Sequence, residues 1–179
     1  MQRKLTFLFI CFFILLLWGT TALSRESPGA GGYALDFTIS YLFDESKELT
    51  FSHYYGAKAK DPKKAIILTF FGSWCKPCIQ ELPILEALYK KHKEHGLLVI
   101  NVSVDKGEAN KTKELIKKAK VTFPVLHDSL QVVMERYGVV HLPKMFVIDG
   151  SGKVVKIFVG MNESKKAELE GEIENLLNK

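Results

Sequence analysis

Two cysteines three residues apart, Cys75 and Cys78, are the side chains in this sequence best equipped for chemistry. A thiolate is both a nucleophile and a metal ligand. Two thiols at this spacing can close a disulfide, open it by exchange, or share a metal. The stretch that carries them reads Ile66-Ile67-Leu68-Thr69-Phe70-Phe71-Gly72-Ser73-Trp74-Cys75-Lys76-Pro77-Cys78. Ile66 to Phe71 have the length and composition of a buried strand, and Gly72-Ser73 break the run. Pro77 suits the first turn of a helix, where its missing N–H costs no hydrogen bond. The pair is therefore expected at a helix N-terminus, just past a central strand. Free N–H groups and the helix dipole favour an anion there, and Lys76 adds a full positive charge. Both lower a thiol pKa from its usual value of about 8.5. Cys75 reads as the exposed nucleophile. Cys78, one turn deeper, reads as the thiol that attacks a mixed disulfide.

Two plainer readings compete. Half of a zinc site would need a second pair of ligands. The only other cysteine is Cys11, inside the apolar N-terminal segment, and His92 and His95 have no matching partners. A purely structural disulfide closing so short a loop would contribute only about 2 kcal/mol by chain entropy. The redox reading is preferred, because strand–turn–helix is the setting it requires.

Trp74-Cys75-Lys76-Pro77-Cys78 after an apolar strand resembles the W-C-x-x-C motif of the thioredoxin superfamily. The longer run from Phe71 to Cys78, followed by Glu81-Leu82-Pro83, resembles the TlpA/ResA-like branch of extracytoplasmic thiol–disulfide oxidoreductases. The resemblance extends from about Ala34 to the C-terminus. It implies an α/β thioredoxin fold: a central mixed β-sheet flanked by helices, with an N-terminal strand or hairpin extension. It also implies a redox-active Cys75–Cys78 disulfide, with substrate contacts at Trp74, Lys76, Pro77, Leu142 and Pro143. This reading calls for no cofactor and no metal.

Glu81 lies three residues from Cys78, so on a helix the two side chains are neighbours. By itself it would be a solvated helix glutamate. ResA-like proteins, however, have a glutamate three residues after the second cysteine. Many thioredoxins instead carry an aspartate in the preceding strand, where this chain has Thr69, which cannot exchange a proton at working pH. The resemblance thus makes Glu81 the proton carrier for the deeper thiol. A carboxyl partly buried there should have a raised pKa.

Within the stretch Val140 to Asp149, Pro143 opens an apolar strand, although proline cannot donate to a ladder. It is either a trans proline at the strand's first residue or, on the resemblance, a cis proline facing the cysteines. The cis form would leave the Leu142 backbone open to a substrate strand and block metal binding at the thiols. Lys144 stands where the family usually has threonine; it could raise the positive potential around Cys75 and favour acidic or thiolate-bearing partners, but its head is read as reaching solvent. His127 and His141 read as ordinary polar residues. Sco-type copper chaperones pair a distant histidine with CxxxC, whereas the spacing here is CxxC. Peroxidase chemistry is disfavoured, because the peroxidatic cysteine of peroxiredoxins sits in a different sequence context.

The elements that must position these residues follow in order. Residues 1–24 begin with Arg3 and Lys4, continue through an apolar run from Leu5 to Trp18, and end in Ala22-Leu23-Ser24. This is the layout of a secretory signal peptide. The alternative is an uncleaved anchor, since the apolar span to Leu23 approaches the roughly 20 residues that cross a bilayer. Either way the domain is exported, to a periplasm or the outer face of a membrane. Residues 25–33 read as a linker and 34–179 as the thioredoxin-like domain. Removing the leader lowers the formal charge from +5 to +3, because it holds two basic residues and no acidic one. Lys58 to Lys64 is a solvated basic loop, without the interleaved aromatics of a nucleic-acid patch.

Asp36–Ser40 and Glu48–Ser52 read as strands, and the connection from Phe51 to Ile66 is long for the branch. A helix to about Lys93, ended by Gly96, should bury Ile79, Leu82, Leu85 and Tyr89, with Pro83 inside it. Leu97–Val104 is a buried strand and Glu108–Lys120 a helix. Ser129 should cap a further helix, ended by Gly138. Asp149-Gly150-Ser151-Gly152-Lys153 is a hairpin turn into Val154–Val159. Leu169, Ile173, Leu176 and Leu177 mark a closing helix over 162–177.

The function read from the sequence is an exported oxidoreductase that reduces protein disulfides, supplied by a membrane-bound electron donor. Apocytochrome c during haem attachment enters as a substrate by family analogy. Alternatives are a copper- or metal-binding module, a strong disulfide oxidant, and a redox-inactive interaction domain. Direction depends on a reduction potential set by the Cys75 pKa, Lys76 and the residue before Pro143.

Overall fold

A computed structural model describes residues 27–107 and 109–179. The leader, Cys11 and the cleavage site lie outside these described residues. The elements are β1 (Thr38–Tyr41), β2 (Asp44–Thr50), β3 (Ala65–Phe71), α1 (Lys76–His92), β4 (Leu97–Ser103), α2 (Asn110–Ala119), β5 (Val125–His127), α3 (Val132–Arg136), β6 (Lys144–Asp149), β7 (Val154–Val159) and α4 (Glu163–Leu177). The strands form one seven-stranded sheet in the order β2-β1-β5-β4-β3-β6-β7. β3, β4 and β5 run parallel, joined by helical crossovers, while β6, β7, β1 and β2 add antiparallel edges. This is the expected thioredoxin-like mixed sheet.

β3 is buried along its whole length, and its alternation builds two cores. Ala65, Ile67 and Phe71 pack with Leu82, Leu85 and Leu88 of α1, Ile116 of α2, and Leu169 and Ile173 of α4. Ile66, Leu68 and Phe70 face the other side, against Phe37, Phe51, Val133 and Tyr137. Both cysteines belong to the first core.

α1 ends as expected, in a short 3-10 turn closed by Gly96 at φ 101°. Its buried face is shifted from the expected stripe. Ile79 and Tyr89 are only half-buried, while Leu88 and two carboxylates, Glu81 and Glu86, are covered. Glu86 tolerates burial because it accepts hydrogen bonds from the Thr122 amide (2.8 Å) and hydroxyl (2.7 Å).

The helix expected after Ser129 is also corrected. α3 has five residues, and Asp128 rather than Ser129 takes its open N–H groups, accepting from the Met134 amide at 2.8 Å. Gln131, which precedes α3, sits at φ 59°. That left-handed conformation is uncommon for a residue with a Cβ.

The long connection before β3 covers an end of the second core. Phe51 is fully buried and stacks on Phe37 at 4.8 Å between ring centroids. Beyond it the Gly56 amide donates to the Gly150 carbonyl, and the Tyr55 ring lies against Gly152. Gly152 combines φ 91° with no room for a Cβ, so only glycine fits this turn. The turn itself is held by Asp149, which accepts from the amides of Ser151 and Lys153. Asn162 caps α4 by accepting from the Lys165 amide at 2.9 Å.

Candidate active site

Cys75 is the N-cap of α1, and its sulfur lies 3.2 Å from the Cys78 amide that faces it. Cys75 and Cys78 are joined in a disulfide, with 5.3 Å between their Cα atoms. Cys75 keeps 8% of its surface exposed and Cys78 keeps 1%. The expected order of depth is present, but Cys75 is itself buried rather than exposed, reaching solvent only at the groove. Lys76 and Pro77 are exposed at the helix start.

Cys75 opens onto a groove of about 440 Å³ that it shares with Trp74, Gln131, Met134, His141 and Leu142. Trp74 is 59% exposed and Val140, on the same groove, 83%. The Leu142–Pro143 peptide is cis. Topology explains the meeting: β3 delivers the cysteines and its neighbour β6 begins directly after Pro143, so both arrive at one end of the sheet. A larger hollow of about 520 Å³, lined by Tyr41, Phe43, Tyr89 and Phe123, shares no residue with this groove and holds no cysteine.

The turn before the cysteines is tightly specified. The Cys75 amide donates to the Gly72 carbonyl at 2.9 Å. The Trp74 indole folds over Gly72, where a Cβ would come within 2.7 Å of the ring. The Ser73 amide donates to both carboxylate oxygens of Asp105, at 3.1 and 3.2 Å. Asp105 is 8% exposed and also accepts from the Ser103 hydroxyl at 2.8 Å. Burial pushes its carboxyl up, but the bonds from Ser73 and Ser103 hold it below the ordinary carboxylate range. Sequence reasoning missed Asp105. The one local signal was a Ser103-x-Asp105 pair ending an otherwise apolar strand.

Glu81 is 4% exposed and lies on the same buried face of α1 as Cys78. Burial pushes its carboxyl up to about 7, opposed only by the Lys165 charge. Thr69 is buried in β3, in register with Asn101 and Met145.

Lys144 departs from expectation. Its ammonium does not reach out to solvent: it donates to the Gly138 carbonyl at 2.9 Å and sits 5.2 Å over the Phe146 ring. Burial lowers its pKa. It therefore ties down the loop that forms one wall of the groove. His127 is half-buried, its Nε2 donating to the Asp105 carbonyl at 2.9 Å, and His141 is exposed at the groove. Among the described residues, no three His, Cys, Asp or Glu side chains are arranged to hold a metal ion.

Comparison with known proteins agrees with this geometry. The AhpC/TSA family profile matches residues 31–157. Thiol-disulfide oxidoreductase ResA of Bacillus thuringiensis (strain Al Hakam) is 32% identical over 184 aligned residues, covering 98% of this chain and 99% of the relative. ResA of Bacillus subtilis (strain 168) is 31% identical over 156 residues, 87% of this chain and 82% of the relative. Among solved structures, a DsbE-type thiol:disulfide interchange protein of Chlorobium tepidum superposes with a TM-score of 0.73 at 28% identity. It covers 84% of this chain and 99% of its own. StoA of Bacillus subtilis shares the fold, with a TM-score of 0.59 at 23% identity over 74% of this chain and 95% of its own.

Proposed function

Because this chain belongs to the AhpC/TSA family and is a thiol–disulfide oxidoreductase of the ResA type, we propose that it is exported and reduces disulfides in other proteins. The observation that carries the mechanism is the buried Glu81 carboxyl on the Cys78 face of α1.

In the reduced enzyme, the Cys75 thiolate attacks one sulfur of a substrate disulfide. The substrate S–S bond breaks, and its second sulfur leaves as a thiolate that takes a proton from solvent. Cys78 then loses its proton to Glu81 and attacks the Cys75 sulfur. The mixed disulfide breaks, the first substrate sulfur leaves as a thiolate that takes a proton from Glu81 or solvent, and Cys75–Cys78 closes. Two electrons pass from the pair to the substrate. A carboxyl titrating near 7 can take and return that proton at neutral pH.

The groove beside Cys75 supports an extended polypeptide as substrate. Trp74 and Val140 offer apolar surface, and the Leu142 backbone lies on the same wall. Export is supported by the leader's sequence. A membrane-bound donor would return the electrons, and apocytochrome c enters by analogy with the ResA family.

The deciding experiment is the reduction potential of the Cys75–Cys78 pair, measured against glutathione or dithiothreitol at neutral pH. We expect about −250 mV or lower, in the range of known reductants. A value near −120 mV, that of a strong oxidant, would overturn the direction proposed here.

A further inference from the structure

We infer that Asp105 is a positioning residue for Cys75, holding the Ser73 amide and opposing with its negative charge the thiolate that forms two residues later. The inference rests on the reading of Cys75 as the reactive thiol.

Asp105 joins three segments. β4 ends at Ser103, and the chain continues alongside the end of β3, with the Val104 amide donating to the Phe71 carbonyl at 2.9 Å. This brings the Asp105 carboxylate beneath the turn from Gly72 to Cys75, where both oxygens accept from Ser73. The Ser103 hydroxyl braces one oxygen, and the His127 ring braces the Asp105 carbonyl from β5. Gln131 adds a fourth tie, donating its side-chain amide to the Val104 carbonyl at 2.8 Å from the far wall of the groove. A carboxylate buried, bonded and held below its ordinary pKa carries its charge throughout the neutral range.

Two effects on Cys75 follow. Asp105 occupies the Ser73 amide in the turn that leads into the helix, so this N–H does not face an anion at Cys75. Its charge also sits at the turn that carries Cys75: both carboxylate oxygens lie within 3.2 Å of the Ser73 amide, two residues before the cysteine. A fixed anion at this range raises the pKa of a thiol. It destabilises the thiolate-bearing reduced form relative to the neutral disulfide, and so makes the pair more reducing above the thiol midpoint. The other charged or titratable groups near this end of the sheet are Lys76 beside Cys75, His141 on the groove, Lys144 behind the groove wall, Glu81 one turn beyond Cys78 and His127 behind Asp105.

The test is Asp105→Asn, which keeps the shape and one acceptor oxygen but removes the charge. Two quantities are read on the full chain. One is the pH dependence of Cys75 alkylation by iodoacetamide, with the modified cysteine located by peptide mass spectrometry. The other is the reduction potential at a pH above the thiol midpoint. The thiolate fraction below the midpoint should rise roughly three- to tenfold. At about 30 mV per decade, the potential should rise by about 15 to 30 mV. Asp105→Ser, smaller and also neutral, should shift both in the same direction.

A lower melting temperature with an unmoved alkylation midpoint and potential would make Asp105 structural and overturn the inference. So would a shift of the opposite sign, or failure of both variants to fold. Preferential labelling of Cys78 in the unmodified protein would instead overturn the reading of Cys75 as nucleophile, and this inference with it.

Discussion

Glu81 keeps a carboxyl where its charged form is poorly solvated, and stability must register this. Its folded-state pKa of about 7 lies above the ordinary value of 4.5. Between those values the folded chain holds a proton that the unfolded chain has released. Stability therefore falls as pH rises through this window and stays reduced above it. The ceiling of this loss is about 3 kcal/mol. Glu81→Gln should accordingly be more stable than the parent at pH 8 and equal to it at pH 4, as read by urea unfolding at the two pH values. Stopped-flow resolution of a mixed disulfide should slow by about tenfold or more in the same variant, and lose its dependence on a group titrating near 7. Equal stability at pH 8 would count against the burial of Glu81. Gly72 offers a steric counterpart. Gly72→Ala would drive a methyl into the Trp74 ring, so the indole must leave its place over the turn. We expect a shift in tryptophan emission, a loss of about 1 to 3 kcal/mol, and a higher KM for protein substrates. An unchanged emission spectrum would contradict the packing of Trp74 on Gly72.

At the scale of elements, the site is the meeting of two short loops at the end of a rigid sheet. α1 presents the disulfide at its N-terminus, and the segment from α3 to β6 supplies the facing wall. That wall has little regular structure of its own, so polar side chains hold it. Asp128 caps α3, and Lys144 ties down Gly138. Asp128→Ala should cost about 1 to 2 kcal/mol, the usual range for losing a cap. Because Gln131 and Met134 line the groove, it should raise KM for a protein substrate more than it lowers kcat. Exchange with dithiothreitol, which needs no groove, should be little changed. A fall in kcat with KM unmoved would argue against this role for α3.

Across the whole molecule, the sheet separates chemistry from much of the stability. The disulfide, Glu81 and Thr69 lie on the face covered by α1, α2 and α4. The opposite face holds the aromatic cluster of Phe37, Phe51, Phe70, Tyr137 and Phe146, and the Tyr137 hydroxyl donates to the Leu35 carbonyl at 2.6 Å. Phe37→Ala should remove about 3 to 5 kcal/mol, as for other buried aromatic deletions. It should leave the reduction potential within error of the parent value. A shifted potential would show that the two faces are coupled through β3.

Several features were legible in the residues themselves because they depend on neighbours close in the chain. The apolar run into Gly72-Ser73 and Pro77 determined strand, turn and helix start, and hence the place of both cysteines. Asp149 to Lys153 determined the hairpin, and the spacing of Leu169, Ile173, Leu176 and Leu177 determined the buried face of α4. Periodicity and turn chemistry act over a few residues, so a linear reading captures them. The remainder was decided by partners far along the chain. Asp105 meets Ser73 across 32 positions, and Glu86 meets Thr122 across 36. Lys144 turned inward because the Gly138 carbonyl and the Phe146 ring were both within reach. Asp128 and Ser129 were both chemically able to cap a helix, and only the path of the chain selected Asp128. Whether a polar group is buried, and what then satisfies it, depends on which segments the sheet brings together. That is a property of the tertiary structure.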